Sequence, residues 1–280
     1  MKNKRLKFRR PAQPAAARLR HAAAALLLAA IMAPCAGFGQ DAGGTSKTPE
    51  KEKKTTRPVR LLAVGEAPVF RGKLRNGVFR EAEPAPGTLP PLEVAALTGE
   101  EEKVRTRLIL GSISPPMRVP QSLRVLRLFK AGEERNDAAP WVRASLPEGA
   151  EPVLIVLWRD PAAGKWTKAR SLVLPDGPAA SPPRSVRILN ITPNTVAVRF
   201  GGNGKSVALR PGRSVQRQPK TAKPLPVSIA MADTKGHWHR LYQGEASPAA
   251  DERTRIFVFR SDGEEVRRPA KVAVITERIR

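Results

Sequence analysis

The chain has 280 residues, including 28 prolines, 21 glycines and one cysteine, and its formal net charge is +25. One cysteine excludes an intrachain disulfide framework, and frequent prolines and glycines between short apolar segments favour an all-β protein over a helical one. The positive charge predicts attraction to polyanions such as acidic glycans, lipid phosphate or nucleic acid; the alternative is a charge that only solvates the surface.

The first 39 residues predict a secretory signal peptide. Residues 1–20 are basic, residues 21–33 form an alanine and leucine run, and small residues follow up to Gly39. This is the three-part pattern of an export signal, and its apolar run is shorter than the roughly 20 residues needed to span a bilayer. We expect cleavage near Gly39, which would remove eight cations and lower the charge from +25 to +17. The exported chain would then have no integral membrane span.

Cys35 offers an alternative, because a lipoprotein signal also ends at a cysteine that becomes acylated. Such signals place a leucine-like residue three positions earlier and a small residue directly before the cysteine, where this chain has Met32 and Pro34. Proline fits this pattern poorly, so ordinary cleavage is preferred. The exported chain would then contain no cysteine, and packing alone would stabilise it.

Residues 40–56 predict a disordered linker between the leader and the first folded domain. They contain one alanine and no larger apolar side chain. Such a segment cannot bury enough surface to offset the entropy of ordering.

Residues 57–176 predict a first β-sandwich domain. It opens with a strand at 57–64, followed by a hairpin at 69–81 with Asn76 and Gly77 in a type I′ turn. Within this half, the segment 92–102 is the one place where a short helix could form. Residues 153–157 are apolar on both faces, which is typical of a central strand covered on both sides.

Residues 177–183 predict a short, stiff, proline-rich linker, and residues 184–280 a second β-sandwich domain. The clearest pattern lies at 185–216, which predicts a three-stranded antiparallel meander of alternating apolar and polar residues. Its second turn, 201–204, would use Asn203 and Gly204 in conformations of positive φ.

Four landmarks recur in the two halves in the same order. RPVRLLAV (57–64) matches RSVRILNI (184–191), WVR (141–143) matches WHR (238–240), VLIVLWRD (153–160) matches RIFVFRSD (255–262), and each half ends on one more strand. The pattern favours two tandem antiparallel β-sandwich domains, Ig-like or related, each able to fold alone. The alternative is one continuous set of unrelated strands.

No catalytic, cofactor or metal site is predicted. GGNGKS (201–206) lacks the first glycine of a phosphate-binding loop, where the chain has Arg199, and no helix follows it. His237 and His239 would point to one side of a strand, but a zinc site would need carboxylates from elsewhere, such as Asp233 or Glu245. Paired carboxylates for glycoside hydrolysis leave no sequence pattern, because their separation is spatial.

One possible ligand contact is predicted at Lys165, Trp166 and Lys168. They lie at the tip of an expected hairpin, and an exposed tryptophan between lysines can stack on a sugar or base while the cations attract an anion. The alternative for Trp166 is packing across the hairpin.

We therefore expect an exported, non-catalytic binding or structural module of the cell envelope, located in the periplasm or at the cell surface. Its partner would be an anionic envelope polymer or another envelope protein. A secreted carbohydrate-active enzyme or accessory module is one alternative. A nonspecific nucleic-acid binder is another, which fits the charge but conflicts with export.

Overall fold

The computed structural model describes residues 55–69, 71–99, 102–133, 139–219, 221, 223–233, 235–263, 266 and 268–279. They belong to one compact unit, residues 54–280. The expected signal peptide, its alternative at Cys35 and the linker up to residue 54 lie outside the described residues.

The described residues form an all-β protein with eighteen strands and no helix. The short helix that the sequence allowed at 92–102 does not form over Glu93–Leu97, which is a strand. The strands, in chain order, are β1 (Thr56–Ala63), β2 (Gly72–Arg75), β3 (Val78–Glu81), β4 (Glu93–Leu97), β5 (Lys103–Arg107), β6 (Met117–Pro120), β7 (Val125–Lys130), β8 (Val142–Ser145), β9 (Val153–Arg159), β10 (Ala169–Pro175), β11 (Val186–Asn190), β12 (Val196–Phe200), β13 (Ser206–Leu209), β14 (Ser214–Arg217), β15 (Leu225–Ala232), β16 (Trp238–Ala246), β17 (Glu252–Arg260) and β18 (Ala270–Arg278).

Four of the sheets have four strands each, and they form two equivalent pairs. Inner sheet 1 has the order β10-β9-β1-β6 and inner sheet 2 the order β18-β17-β11-β14. Outer sheet 1 has the order β5-β4-β7-β8 and outer sheet 2 the order β13-β12-β15-β16. Strand by strand, the two halves therefore share one connectivity, except that the β2–β3 hairpin has no counterpart in the second half.

Each inner sheet contains one parallel pair, so the predicted sandwiches are not wholly antiparallel. Val59 on β1 lies beside Val153 on β9, and Val186 on β11 lies beside Thr254 on β17. If Val59 is equated with Val186, Val153 corresponds to Thr254, whereas the matched sequence strings paired it with Arg255. The landmarks thus mark equivalent strands, with a shift of one residue. The division into domains at 57–176 and 184–280 stays a prediction.

The predicted meander at 185–216 is wrong in its first strand. β12 and β13 form the expected hairpin, but β11 pairs with β14 and β17 in the other sheet. The chain turns between the sheets at buried Asn190, whose side-chain amide donates to the carbonyls of Asn194 (2.7 Å) and Leu209 (2.9 Å). Its Oδ1 accepts from the backbone N–H and hydroxyl of Thr192. Every polar atom of the Asn190 side chain is thus bonded, which stabilises a buried corner.

Each inner sheet packs against its outer sheet through an apolar core. Inner sheet 1 contributes Val59, Leu61, Ile155 and Leu157 to the first core, and inner sheet 2 contributes Ile188, Ile256 and Val258 to the second. β9 is buried on both faces, as expected, and so is β17.

A third apolar layer joins the two inner sheets. It contains Leu62, Leu154 and Val156 from inner sheet 1 together with Leu189, Phe257 and Phe259 from inner sheet 2. The second face of each central strand is therefore covered by the other half of the chain.

Candidate anion-binding face

The outer face of outer sheet 1 carries five basic residues. Alternate residues of a strand point to opposite faces, and Val94, Ala96, Leu126, Leu128, Val142 and Ala144 point into the first core. The side chains on the opposite face include Lys103, Arg105, Arg107, Arg127 and Arg143. We call these five residues the basic face.

Strand register places three of these cations in one row, on the same face as the buried side chains of Ala95, Leu97 and Phe129. Lys103 lies opposite Leu97, which lies opposite Arg127, and Arg127 lies opposite Arg143. Since neighbouring strands are about 5 Å apart, this row crosses all four strands within roughly 15 Å. Glu93, opposite Arg107, is the one acid at the outward positions of these described strands.

The equivalent face of outer sheet 2 has a different character. Ala208, Ala197, Ala230 and Arg240 form one row, and Ser206, Arg199, Ser228 and Gln243 form the next. The duplicated architecture therefore does not require the basic face.

The sequence contains a signal for the basic face that is not among the predicted sites. In the segment KVRTR (103–107), Lys103, Arg105 and Arg107 occupy alternate positions. On a strand these three cations therefore lie on one face. Arg127 and Arg143 could be added only after the pairing of β7 with β8 was known.

The structure corrects the predicted contact around Trp166. The connection between β9 and β10 folds Trp166 back into the first core, where it is 2% exposed. Its backbone N–H donates to the carbonyl of Gly87 (2.8 Å), and its carbonyl accepts from Trp141 Nε1 (3.0 Å). A core tryptophan cannot present a ring for stacking, so the expectation of an exposed aromatic contact is wrong. Lys165 and Lys168 are exposed, and their contact with a ligand stays a prediction.

Part of the positive charge is held in an ion-pair cluster between the inner sheets. Arg60, Arg253 and Arg255 surround Asp176 and Glu277. Arg60 Nη1 lies 2.7 Å from Glu277 Oε2, and Arg253 Nε lies 2.6 Å from Glu277 Oε1. Burial alone raises the pKa of Glu277, but hydrogen bonding to Arg60 and the charges of Arg255, Arg60 and Arg253 outweigh it and lower that pKa to about 2. These arginines are paired, so the cluster is structural.

A second polar group lies beyond the other end of the shared apolar layer. Arg159 Nε lies 2.6 Å from Asp262 Oδ2, and Glu66 accepts from Lys271, Ser261 and the backbone of Gly263. A cavity of about 190 Å³, lined in part by Trp158 and Phe259, opens beside Arg159. Because Arg159 is already paired, the cavity has no buried free charge to select a ligand.

His237 and His239 both contact Asp233. His239 Nε2 lies 2.9 Å and His237 Nδ1 3.4 Å from Asp233 Oδ2, while the backbone amides of Lys235 and His237 donate to Oδ1. The hydrogen bond to His239 is the main cause that lowers the pKa of Asp233 to about 2. No group of three or more potential ligands in the described part of the chain has metal-binding geometry.

The perturbed carboxyl groups do not resemble general acids. A general acid needs a raised pKa at neutral pH. In contrast, the pKa values of Glu66, Asp233 and Glu277 are all lowered.

Within the described residues no helix could cross a bilayer.

Comparison by sequence finds no relative of this chain: no family model and no curated protein matches it. Among solved structures, pneumolysin aligns with 64% of this chain and 39% of its own, at 10% identity and a TM-score of 0.25. A proposed cell adhesion protein from Bacteroides ovatus aligns with 80% of this chain and 98% of its own, at 9% identity and a TM-score of 0.19. Scores this low support no statement about function.

Proposed function

We propose that this chain is an exported, non-catalytic β-sandwich protein of the cell envelope that binds anionic polymers through its basic face. The observation that supports the proposal is the pair Arg127 and Arg143, which lie directly opposite each other on β7 and β8. Closely spaced cations raise the local concentration of a polyanion, and each contact with it releases counterions. The export signal in the leader favours an envelope polymer over nucleic acid.

A charge-neutral replacement at the basic face tests the proposal. With heparin as the probe, Arg127→Gln together with Arg143→Gln should weaken binding and make it less dependent on salt. By analogy with phosphate contacts, the slope of log K against log salt should fall by roughly one to two units. Isothermal titration at several salt concentrations measures both quantities.

The chain offers a matched control in Arg210 and Arg213, which are exposed in the connection between β13 and β14. Arg210→Gln with Arg213→Gln removes the same charge from another part of the surface. If both double variants weaken binding equally, net charge alone is responsible and the basic face is not a site.

Two other classes of function remain as outcomes of the same experiment. Cleavage of an acidic glycan during the titration would favour a carbohydrate-active enzyme, and salt-insensitive binding of a neutral glycan would favour an accessory module. Tighter binding to duplex DNA than to heparin would favour a nucleic-acid binder.

A further inference from the structure

The β2–β3 hairpin is the one part of the first half that the duplicated topology does not require. Its strands pair only with each other and form a sheet of their own. Asn76 and Gly77 adopt φ values of 51° and 74°, the left-handed turn predicted from sequence. An isolated two-stranded hairpin gains little stability in water, so its presence calls for another role.

The two faces of this hairpin differ in chemistry. Leu74 and Phe79 lie directly opposite each other and share one face. They are 65% and 74% exposed, the two highest values among the exposed large apolar side chains of the described residues. Lys73 and Arg80 also lie opposite each other, on the other face, and both are exposed. The hairpin thus has the apolar pair on one face and, on the other face, the cationic pair together with exposed Val78.

This combination fits an interface between water and an anionic lipid layer. Leucine and phenylalanine gain free energy when they leave water, and neighbouring cations gain it near negatively charged headgroups. A dissolved anionic polymer would attract Lys73 and Arg80 but would offer no apolar phase to Leu74 and Phe79. The exposed apolar pair therefore favours a membrane surface over a polymer.

We propose that the β2–β3 hairpin docks the protein onto anionic lipid membranes. Leu74 and Phe79 enter the boundary between headgroups and acyl chains, and Lys73 and Arg80 remain among the headgroups. This role is separate from polymer binding at the basic face, because it uses a different element and needs apolar contact.

Vesicle binding tests the proposal, with residues 40–280 as the protein and equimolar phosphatidylglycerol and phosphatidylcholine as the membrane. Leu74→Ser with Phe79→Ser should lower the partition coefficient roughly tenfold or more, since two apolar side chains lose their burial. Leu92→Ser with Val266→Ser is the matched control, because both residues are 61% exposed and lie outside the hairpin. This control should bind vesicles like the unchanged protein.

Heparin binding by the same variants separates the two proposals. The hairpin variant should bind heparin normally, whereas Arg127→Gln with Arg143→Gln should lose heparin affinity and keep its dependence on Leu74 and Phe79 for vesicles. Phe79→Trp gives an independent readout: after subtraction of the emission of the unchanged protein, which has four tryptophans, the added fluorescence should shift to shorter wavelength on anionic vesicles and not on phosphatidylcholine alone. Equal vesicle binding by the hairpin variant and the unchanged protein would overturn the proposal. The proposal would also be overturned if a soluble protein bound this chain through Leu74 and Phe79 while the fluorescence showed no shift on vesicles.

Discussion

At the scale of single residues, Glu277 forms ion pairs with arginines from both halves of the chain. It contacts Arg60 on β1 and also Arg253 and Arg255 on β17, and its side chain is 15% exposed. Replacing one partner of a buried ion pair leaves the other charges uncompensated, which typically costs 3–5 kcal/mol. We expect Glu277→Gln to lower the free energy of unfolding by about that amount, measured by denaturant titration at neutral pH.

The same residue predicts a pH dependence. The pKa of Glu277 falls from an ordinary 4.5 to about 2 on folding, so its stabilisation is present above pH 4.5 and is lost as the pH falls through 2. Glu148→Gln is the control, because its pair with Arg124 is exposed and should contribute no more than about 1 kcal/mol. If the two variants unfolded at the same pH in an acid titration, that result would contradict the role given to Glu277.

Ion pairs between distant residues could not be predicted from the sequence. The repeated strings match Arg60 with Arg187 as equivalent residues. The partners of Arg60, however, are Asp176 and Glu277, which are distant along the chain, and no local pattern predicts them. Trp166 shows the opposite error. Its flanking lysines suggested exposure, yet the connection folds inward and buries the ring beside Trp141, at a centroid distance of 6.3 Å.

At the scale of elements, the β12–β13 hairpin depends on a close backbone approach at Gly204. A Cβ atom there would lie 2.0 Å from the carbonyl oxygen of Phe200, whereas at Gly202 it would meet nothing within 4 Å. We expect Gly204→Ala to cost roughly 1–3 kcal/mol, because the turn must rearrange, and Gly202→Ala to be nearly neutral. Thermal melts of the two variants make the comparison, and equal melting temperatures would show that the turn adapts freely.

Turns that depend on local residue type could be predicted from the sequence, whereas the pairing of strands that are distant along the chain could not. Asn76–Gly77 was recognisable because few residues adopt positive φ at both turn positions. The positive φ at the second predicted turn belongs instead to Gly201, with φ 76°. β11 and β12 show the same alternation, and periodicity alone cannot tell that they lie in different sheets. Local propensity allowed a short helix at 92–102, but the pairing of β4 with β5 and β7 overrides it.

At the scale of the whole molecule, the apolar layer between the inner sheets changes what is expected of the isolated halves. Residues 184–280 alone would expose Leu189, Phe257 and Phe259, which are at most 4% exposed in the whole chain. We expect this fragment to melt at a lower temperature than residues 55–280 and to self-associate. Sedimentation and calorimetry measure both effects, and Phe257→Ser with Phe259→Ser should reduce the association. A monomeric fragment as stable as the whole would support two independent domains.

The parallel pairs in the inner sheets also set the order in which the chain can fold. β1 is the first strand of its half, yet its neighbour β9 follows only after seven other strands, and β11 waits in the same way for β17. During synthesis or transport through a pore, the apolar strand β1 remains without its central partner until almost the whole first half has emerged. Pairing between residues so distant along the chain is slow. A chain with this connectivity stays open longer than one built from successive hairpins, which would favour the export that we propose for this chain.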